Sequence, residues 1–322
     1  MRQSFVRWFG CALALTGVQA AAQGFPAKSV RIVVPFPPGG TSDATARLIA
    51  QKLTERWKHT VIVDNRGGAG GNIAAEHVAR AAADGYTLLM GTHGTQAINV
   101  SLFAKLPYDP VRDFAPVTLA ITVPNLFLAH PSLPVRSIKD LTTLAKARPG
   151  ELNFASAGYG TMPHMAGELF NLMAGVKMTP ILYKGSGPAM SEVLGGLVPL
   201  FIESVLTTLP HVQSGKLRAL AITSAQRNPA VPDIATVAET GLAGYEGITW
   251  VGLVAPASTP REIVSLLNTE IARILQSPEV KERLASMGAT PGGGSPEQFA
   301  NYIRSETDKW AKVVRAAGLK AE

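Results

Sequence analysis

Apolar residues in this chain fall into short continuous runs, separated by Gly/Pro/Ser turns and by longer stretches with helical spacing. Val30–Val34 is a β-favouring, mostly apolar run, short enough for a strand and continuous enough to be buried on both faces of a parallel sheet. Pro35, Pro37 and Pro38 stop the ladder, because each lacks a backbone donor. Gly39 and Gly40 follow, and Thr41, Ser42 and Asp43 offer capping oxygens to a helix whose apolar positions are Leu48, Ile49, Leu53 and Trp57. A strand, a bare-backbone turn and a helix N-terminus have the physics of an anion site. A tight connection with no ligand fits the same residues.

The alternation continues. The pattern predicts strands over 60–63 and 86–90, with a Gly-rich loop at 64–71, an Ala-rich helix over 72–83 and a turn at 91–95. Such βαβαβ order argues a parallel, doubly wound sheet whose ligands sit beyond the strand carboxyl ends. A second α/β unit follows, with strands at 152–156, 178–183, 198–202 and 217–223, a helix through Leu169, Phe170 and Met173, and loops at 157–164 and 184–188. Residues 126–134 and 252–260 resemble each other as apolar strand, Pro/Ser turn and helix start. Such a pair suits a chain that leaves one domain and returns to it, with hinges near 121–125 and 246–250; coincidence between common strand exits explains the pattern equally. Thr259, Pro260 and Glu262 have capping-box spacing, and Ser137 with Asp140 looks similar. Arg261–Gln276 is amphipathic, and Ser295 opens a terminal helix carrying Phe299, Ile303, Trp310 and Val314. These last helices are expected to pack back on the first domain.

The 322 residues suit about two domains, and 46% hydrophobic content is enough to build real cores. Arg2 and Arg7, an apolar run over 8–18 and small residues at 18–22 read as a cleaved secretory signal peptide, too short for a membrane span. Loss of its two arginines lowers the formal charge from +7 to +5. Cys11, the only cysteine, lies inside that segment, so the mature chain is expected to have no disulfide or thiol chemistry and to be periplasmic. Without Lys/Arg runs or aromatic-basic interleaving, nucleic acid is not an expected partner.

Catalytic signatures are sparse. G-x-S-x-G and G-x-x-x-x-G-K-[ST] do not occur, and the glycines at 67–71 put Ile73 where a dinucleotide fingerprint needs glycine. The six histidines show no i,i+4 pair, so no metal and no cofactor is expected. Ser156 and His164 flank a Gly-rich turn without spacing that places a base on a hydroxyl. What repeats is a βα loop that offers glycine amides and Ser/Thr hydroxyls at a helix start, at 37–43, 91–95, 156–164 and 184–188. Two such loops come from each unit, so they can face one another across a cleft. Each charge-assisted bond contributes about 1.5–3 kcal/mol, and three or four reach roughly 8 kcal/mol, micromolar affinity, after ordering costs. Arg66 and Lys184 can assist, or are solvated loop charges. Glu203 can receive a ligand amine or hydroxyl, or is an ordinary strand-end acid.

These motifs together resemble the Bug receptors, the extracytoplasmic solute receptors of the tripartite tricarboxylate transporter family. The resemblance rests on Pro35-Phe36-Pro37-Pro38-Gly39-Gly40, Asp64-Asn65-Arg66 with Gly68-Ala69-Gly70-Gly71-Asn72, and Asp84-Gly85-Tyr86-Thr87-Leu88-Leu89. It continues in Ser156-Ala157-Gly158 with Gly160-Thr161 and His164, then Gly167-Glu168-Leu169-Phe170 and Tyr183-Lys184-Gly185. It implies an α/β, type II-like Venus-flytrap: two domains, each a mainly parallel sheet flanked by helices, joined by two hinge strands. Domain one would be 23–123 plus 248–322, and domain two 124–247. It further implies a monomeric, non-enzymatic receptor that closes on a small organic acid: a mono- or dicarboxylate, or an amino acid. Transporter membrane subunits or a sensor protein would be its partners. By matching motif, the carboxylate falls to Phe36, Pro38, Gly39, Gly40, Thr41 and Ser42. Ser156, Ala157, Gly158, Gly160, Thr161 and His164 lie opposite, with Thr92 and Gly94 nearby, and Lys184 and Glu203 complete the expected set. Two departures stand out: Gly67 replaces the proline usual after Asn-Arg, and Pro199 and Glu203 sit where aspartates are common. An exported hydrolase or isomerase using Ser156, His164 or Glu203 is the rival reading.

Overall fold

A computed structural model describes residues 24–321. The expected signal peptide lies outside the described residues. The chain opens with β1 (Val30–Val34), α1 (Thr41–Trp57), β2 (Val61–Asn65), α2 (Asn72–Ala79) and β3 (Thr87–Thr92). Helical crossovers force parallel pairing, and β1 lies parallel to both β2 and β3. Val30, Ile32, Val33 and Val34 are fully buried, as a strand covered on both faces requires. α2 stops before residue 83, and residues 94–98 form a π-helical turn leading into α3 (Asn99–Leu102), where an open loop was expected.

β4 (Phe114–Ala129) then runs unbroken through Pro116 and Pro124. The second half follows with α4 (Ile138–Ala147), β5 (Asn153–Ser156), α5 (Met162–Ala174), β6 (Thr179–Leu182) and α6 (Ser186–Leu194). It closes with β7 (Leu200–Ser204), α7 (Val205–Gln213) and β8 (Arg218–Ile222). The chain returns through β9 (Ile248–Pro256), α8 (Arg261–Gln276), α9 (Pro278–Ser286), β10 (Thr290–Gly293) and α10 (Pro296–Ala316). The strand order is β2-β1-β3-β9-β4-β7-β5-β6, with β8 and β10 also on β4. Strand β4 therefore belongs to both halves. It pairs antiparallel with β9 from Phe114↔Pro256 to Pro124↔Ile248, and from Asn125 onward with β7 and β8. The parallel arrays β2-β1-β3 and β7-β5-β6 thus end at antiparallel crossing strands, and the sheet as a whole is mixed. We call the halves, each with its helices, the first and second lobe.

At the changeover the buried Asn125 ties the strands together. Its amide donates to the Gly247 carbonyl (3.0 Å), and its side-chain oxygen accepts from Thr249 (2.9 Å). The last helices do return to the first lobe. α8 packs on β4 and α1, and α10 packs on β4 and the π-helical turn, where buried Glu306 accepts from the indoles of Trp250 and Trp310. Ser137 and Ser295 cap their helices as expected, Ser295 with a full capping box. The box at Thr259 does not form. α8 starts one residue later, with Pro260 at the cap, and the buried Thr259 hydroxyl finds no partner. Among the described residues no helix is long and apolar enough to cross a membrane.

Candidate functional site

The loops after β1, β3, β5 and β6, with the end of β7, all at strand carboxyl ends, converge between the lobes on one small, partly open cavity of about 40 Å³. From the first lobe it is lined by Phe36, Gly40, Thr41, Ser42, Thr92 and His93. The second lobe adds Ala157, Thr161, Pro163, Ser186 and Glu203, and β9 adds Thr249 and Val251. Three helices start here. The first intrahelical bond of α1 is Ala44 N–H to Gly40 C=O (3.0 Å), and that of α5 is Met165 N–H to Thr161 C=O (3.0 Å). The amides that precede these bonds have no acceptor within their helix. α6 begins at Ser186 in the same way. Unpaired amides and helix dipoles from both lobes thus favour negative charge at one point.

The α1 start is built differently from its expected form. Thr41, Ser42 and Asp43 lie inside the first turn, Gly40 is the cap residue, and no side chain caps it. Asp43 instead folds back. Its carboxylate accepts from Gly39 N–H (3.0 Å), from Arg47 Nε (3.0 Å) and from Asn65 Nδ2 (3.0 Å), and Asn65 also donates to the Phe36 carbonyl (2.9 Å). Burial acts to raise the Asp43 carboxyl, but the bonds from Arg47, Gly39 and Asn65 outweigh it and hold the group below its usual range. The Gly39 amide is therefore already engaged within the protein, and Gly39 and Pro38 stand exposed at the rim.

Facing loops touch. The Thr41 and Ser204 hydroxyls bond directly across the cleft at 2.7 Å. A Cβ on Gly40 would lie 3.1 Å from Ser186 Oγ, one on Gly94 3.1 Å from the Gly160 carbonyl, and one on Gly160 only 2.5 Å from Asn99 Oδ1. Gly160 also has φ +70°, which disfavours any side chain.

The two lining residues of widest chemical reach are Glu203 and His93. Glu203 Oε1 accepts from Ser204 N–H (2.9 Å), while Oε2 is buried without a partner. Burial pushes this carboxyl up, against the downward pull of the Ser204 amide and of the nearby Ser186 hydroxyl, which is close enough to act on the charge without forming a well-aligned hydrogen bond to Oε2. His93 stacks edge-on against Trp250 and places Nδ1 3.4 Å from the Trp250 carbonyl. A carbonyl only accepts, so Nδ1 carries the proton and Nε2, also buried without a partner, is an acceptor. Burial pulls this imidazole down to about 4.

Of the expected residues, Phe36, Gly40, Thr41, Ser42, Thr92, Ala157, Thr161 and Glu203 line the cavity. Gly94, Ser156, Gly160 and His164 are buried behind it. Gly158 and Lys184 line an adjoining outer cleft of about 560 Å³, which shares Phe36 and Ala157 with the cavity. His164 supports its loop: Nδ1 accepts from Gly160 N–H (3.4 Å), Nε2 lies 3.8 Å from Glu168, and burial pulls the ring down to about 4. The sequence reading missed His93, Pro163, Ser186, Thr249 and Val251 as lining residues. Ser186 and His93 sat inside loops it singled out, but nothing in the sequence showed which side chains turn inward. Among the described residues no cluster of His, Cys, Asp and Glu has the composition to hold a metal.

Residues 45–319 match the sequence family described as tripartite tricarboxylate transporter family receptor. The chain belongs to that family. Protein BugT of Bordetella pertussis is 40% identical over 314 residues, 97% of this chain and 96% of its own. Three solved structures are similar. R. palustris Rpa4515 with adipate has a TM-score of 0.90 at 42% identity, covering 92% of this chain and 99% of that one. Periplasmic binding protein BugD has 0.87 at 34%, with 92% and 100% covered. MatC from Rhodopseudomonas palustris with bound malate has 0.86 at 35%, with 90% and 100% covered. The receptor accordingly has the two-domain α/β fold of periplasmic binding proteins, and it is a solute-binding receptor of the Bug type.

Proposed function

We propose that this receptor captures a small carboxylate in the periplasm by clamshell closure of its lobes, without chemical conversion. The observation that carries the reading is the meeting of three helix N-termini, from both lobes, at one small cavity between them. The similar proteins solved with adipate and malate support the carboxylate class. The lobes would be 23–123 plus 248–322 and 124–247, rotating about the crossing strands near Pro124 and Ile248. A ligand bridging both lobes favours the closed state by its extra affinity for that state. The carboxylate is assigned to the free amides of Gly40, Thr41 and Ser42 with the Thr161 start of α5 opposite, while Pro38, Gly39, Gly94, Ser156, Gly158, Gly160, His164 and Lys184 shape and support these loops. Neither Ser156 nor His164 lines the cavity, which speaks against a hydrolytic pair. The loaded receptor would present the solute as a monomer to transporter membrane subunits or to a sensor.

A native mass spectrum recorded before and after refolding from denaturant tests the reading. The expected result is a small mass excess, lost on refolding and restored unchanged by one member of a carboxylate panel. No member binding, or recovery of a chemically altered ligand, would overturn it.

A further inference from the structure

We infer that Glu203 and His93 form a donor-selective subsite, so that the bound acid carries a hydroxyl or ammonium group beside the carboxylate end. This rests on the carboxylate reading and adds the class of acid to it.

Two side chains, one from each lobe, line the same small cavity and each leaves one buried polar atom unpartnered: Glu203 Oε2 and His93 Nε2. Glu203 is 2% exposed and His93 4%. Buried polar atoms are almost always satisfied, so two such vacancies facing one space point to a ligand group that fills them. Both other atoms are committed, Oε1 to the Ser204 amide and Nδ1 to the Trp250 carbonyl. Nε2 therefore accepts only. Oε2 accepts when Glu203 is ionised and donates when it is protonated.

Electrostatics then restrict the ligand. A second carboxylate entering this space beside an ionised Glu203 would set two like charges in a cavity of about 40 Å³, which disfavours ionisation of one of them. A donor group on the ligand removes the conflict in either of two ways. An ammonium donates to both Oε2 and Nε2 and stabilises the ionised Glu203. A hydroxyl donates to Nε2 and accepts from Oε2–H of the neutral acid, the form that burial already favours. An unsubstituted acid can do neither, and leaves Nε2 bare and Oε2 with only the nearby Ser186 hydroxyl. A site built around a ligand donor rejects the analogue without it strongly, because its own buried groups then go unpaired.

The experiment uses the refolded, ligand-free receptor and calorimetric titration with matched acids: propionate, lactate and alanine; succinate, malate and aspartate. The expected result is that at least one substituted acid binds roughly 10- to 100-fold more tightly than its plain parent. Three variants, each checked by its melting curve, assign the effect. Glu203→Leu should bring the ratio close to one. Glu203→Gln keeps the Ser204 bond but turns a donor to the ligand, so it should lose an amino acid while retaining a hydroxy acid. His93→Phe should weaken the hydroxy acid. A plain parent that binds as tightly as its substituted partners would overturn the subsite while sparing the carboxylate reading. So would a ratio that all three variants leave unchanged. Failure of every acid to bind the wild type would instead remove the carboxylate reading, and this inference with it.

Discussion

The loops that enter α1 and α5 face each other across the cleft and do the same local job with different means. The first-lobe loop is held by charge: Asp43 gathers Gly39 N–H, Arg47 and Asn65 around one buried carboxylate. The second-lobe loop is held by neutral bonds. Thr161 Oγ1 donates to the Gly158 carbonyl (2.6 Å), and His164 accepts from Gly160 N–H. Glycine use differs as well. Gly39 has a positive φ of 98° but open space around it, whereas Gly158 and Gly160 have positive φ and neighbours too close for a side chain. One loop is thus set by its own lobe, and the other by what presses on it, including the opposite lobe. The contrast suits a closing receptor. Under the proposed clamshell closure, the first-lobe loop would keep its shape when the cleft opens, and the facing loop would be completed when it closes.

The largest test of this contrast is Gly160→Val. Its branched side chain would meet Asn99 of the opposite lobe and Leu102 beyond it, so closure, and with it binding, should fall by more than about 100-fold (compare overpacking costs of 1–3 kcal/mol and more). Gly39→Ala is its counterpart: with nothing within 4 Å of the new Cβ, it pays only backbone strain, about 1 kcal/mol. Equal losses of affinity for the two would erase the distinction.

Next in size is the brace of each loop. Asp43→Ala removes three bonds, all of them to an ionised carboxylate, and should lower unfolding stability by about 2–4 kcal/mol. Thr161→Val removes one neutral bond and should lose about 1 kcal/mol. Denaturant titration of both variants checks the ranking, and an equal or reversed cost would show that charge is not what holds the first loop.

The most gradual effect is a pH dependence shared by both lobes. His93 and His164 titrate near 4 in the fold, below the roughly 6.5 of an unfolded chain. As pH falls the unfolded chain takes up protons first. The stability contributed by keeping each ring neutral is therefore complete above about 6.5 and is lost progressively toward 4, on the order of 1–3 kcal/mol per ring. Melting temperature against pH should slope downward through that window, and His164→Gln should flatten it. An unchanged slope would place the proton uptake elsewhere.

Much of this protein was legible as sequence. The run Val30–Val34, the helix after Gly40 and the amphipathic 261–276 segment follow from local rules, since burial on both faces, a missing donor or a helical stripe leaves its mark within a few neighbouring residues. The motif order carried the family, and the polar turns located the loops. Other features were not local. β4 runs through two prolines, Pro116 beside an irregularity in its pairing with β9 and Pro124 where it changes partner from β9 to β7 and β8. The glycine-rich β10 is a strand only because β4 pairs with it, from Thr290↔Thr122 to Gly293↔Leu119. The capping oxygens at Thr41 and Ser42 turned out to be first-turn residues, with Asp43 reaching back to Gly39. Sequence thus determined which loops bring bare amides to helix starts, because amide density and helix starts are local properties. Tertiary structure alone decided which atoms are left over once those loops meet. Gly39 is spent, His164 is turned to support, and His93 and Glu203 are left facing the cavity, since a hydrogen-bond vacancy is defined by residues that are distant in the chain and neighbours only in the fold.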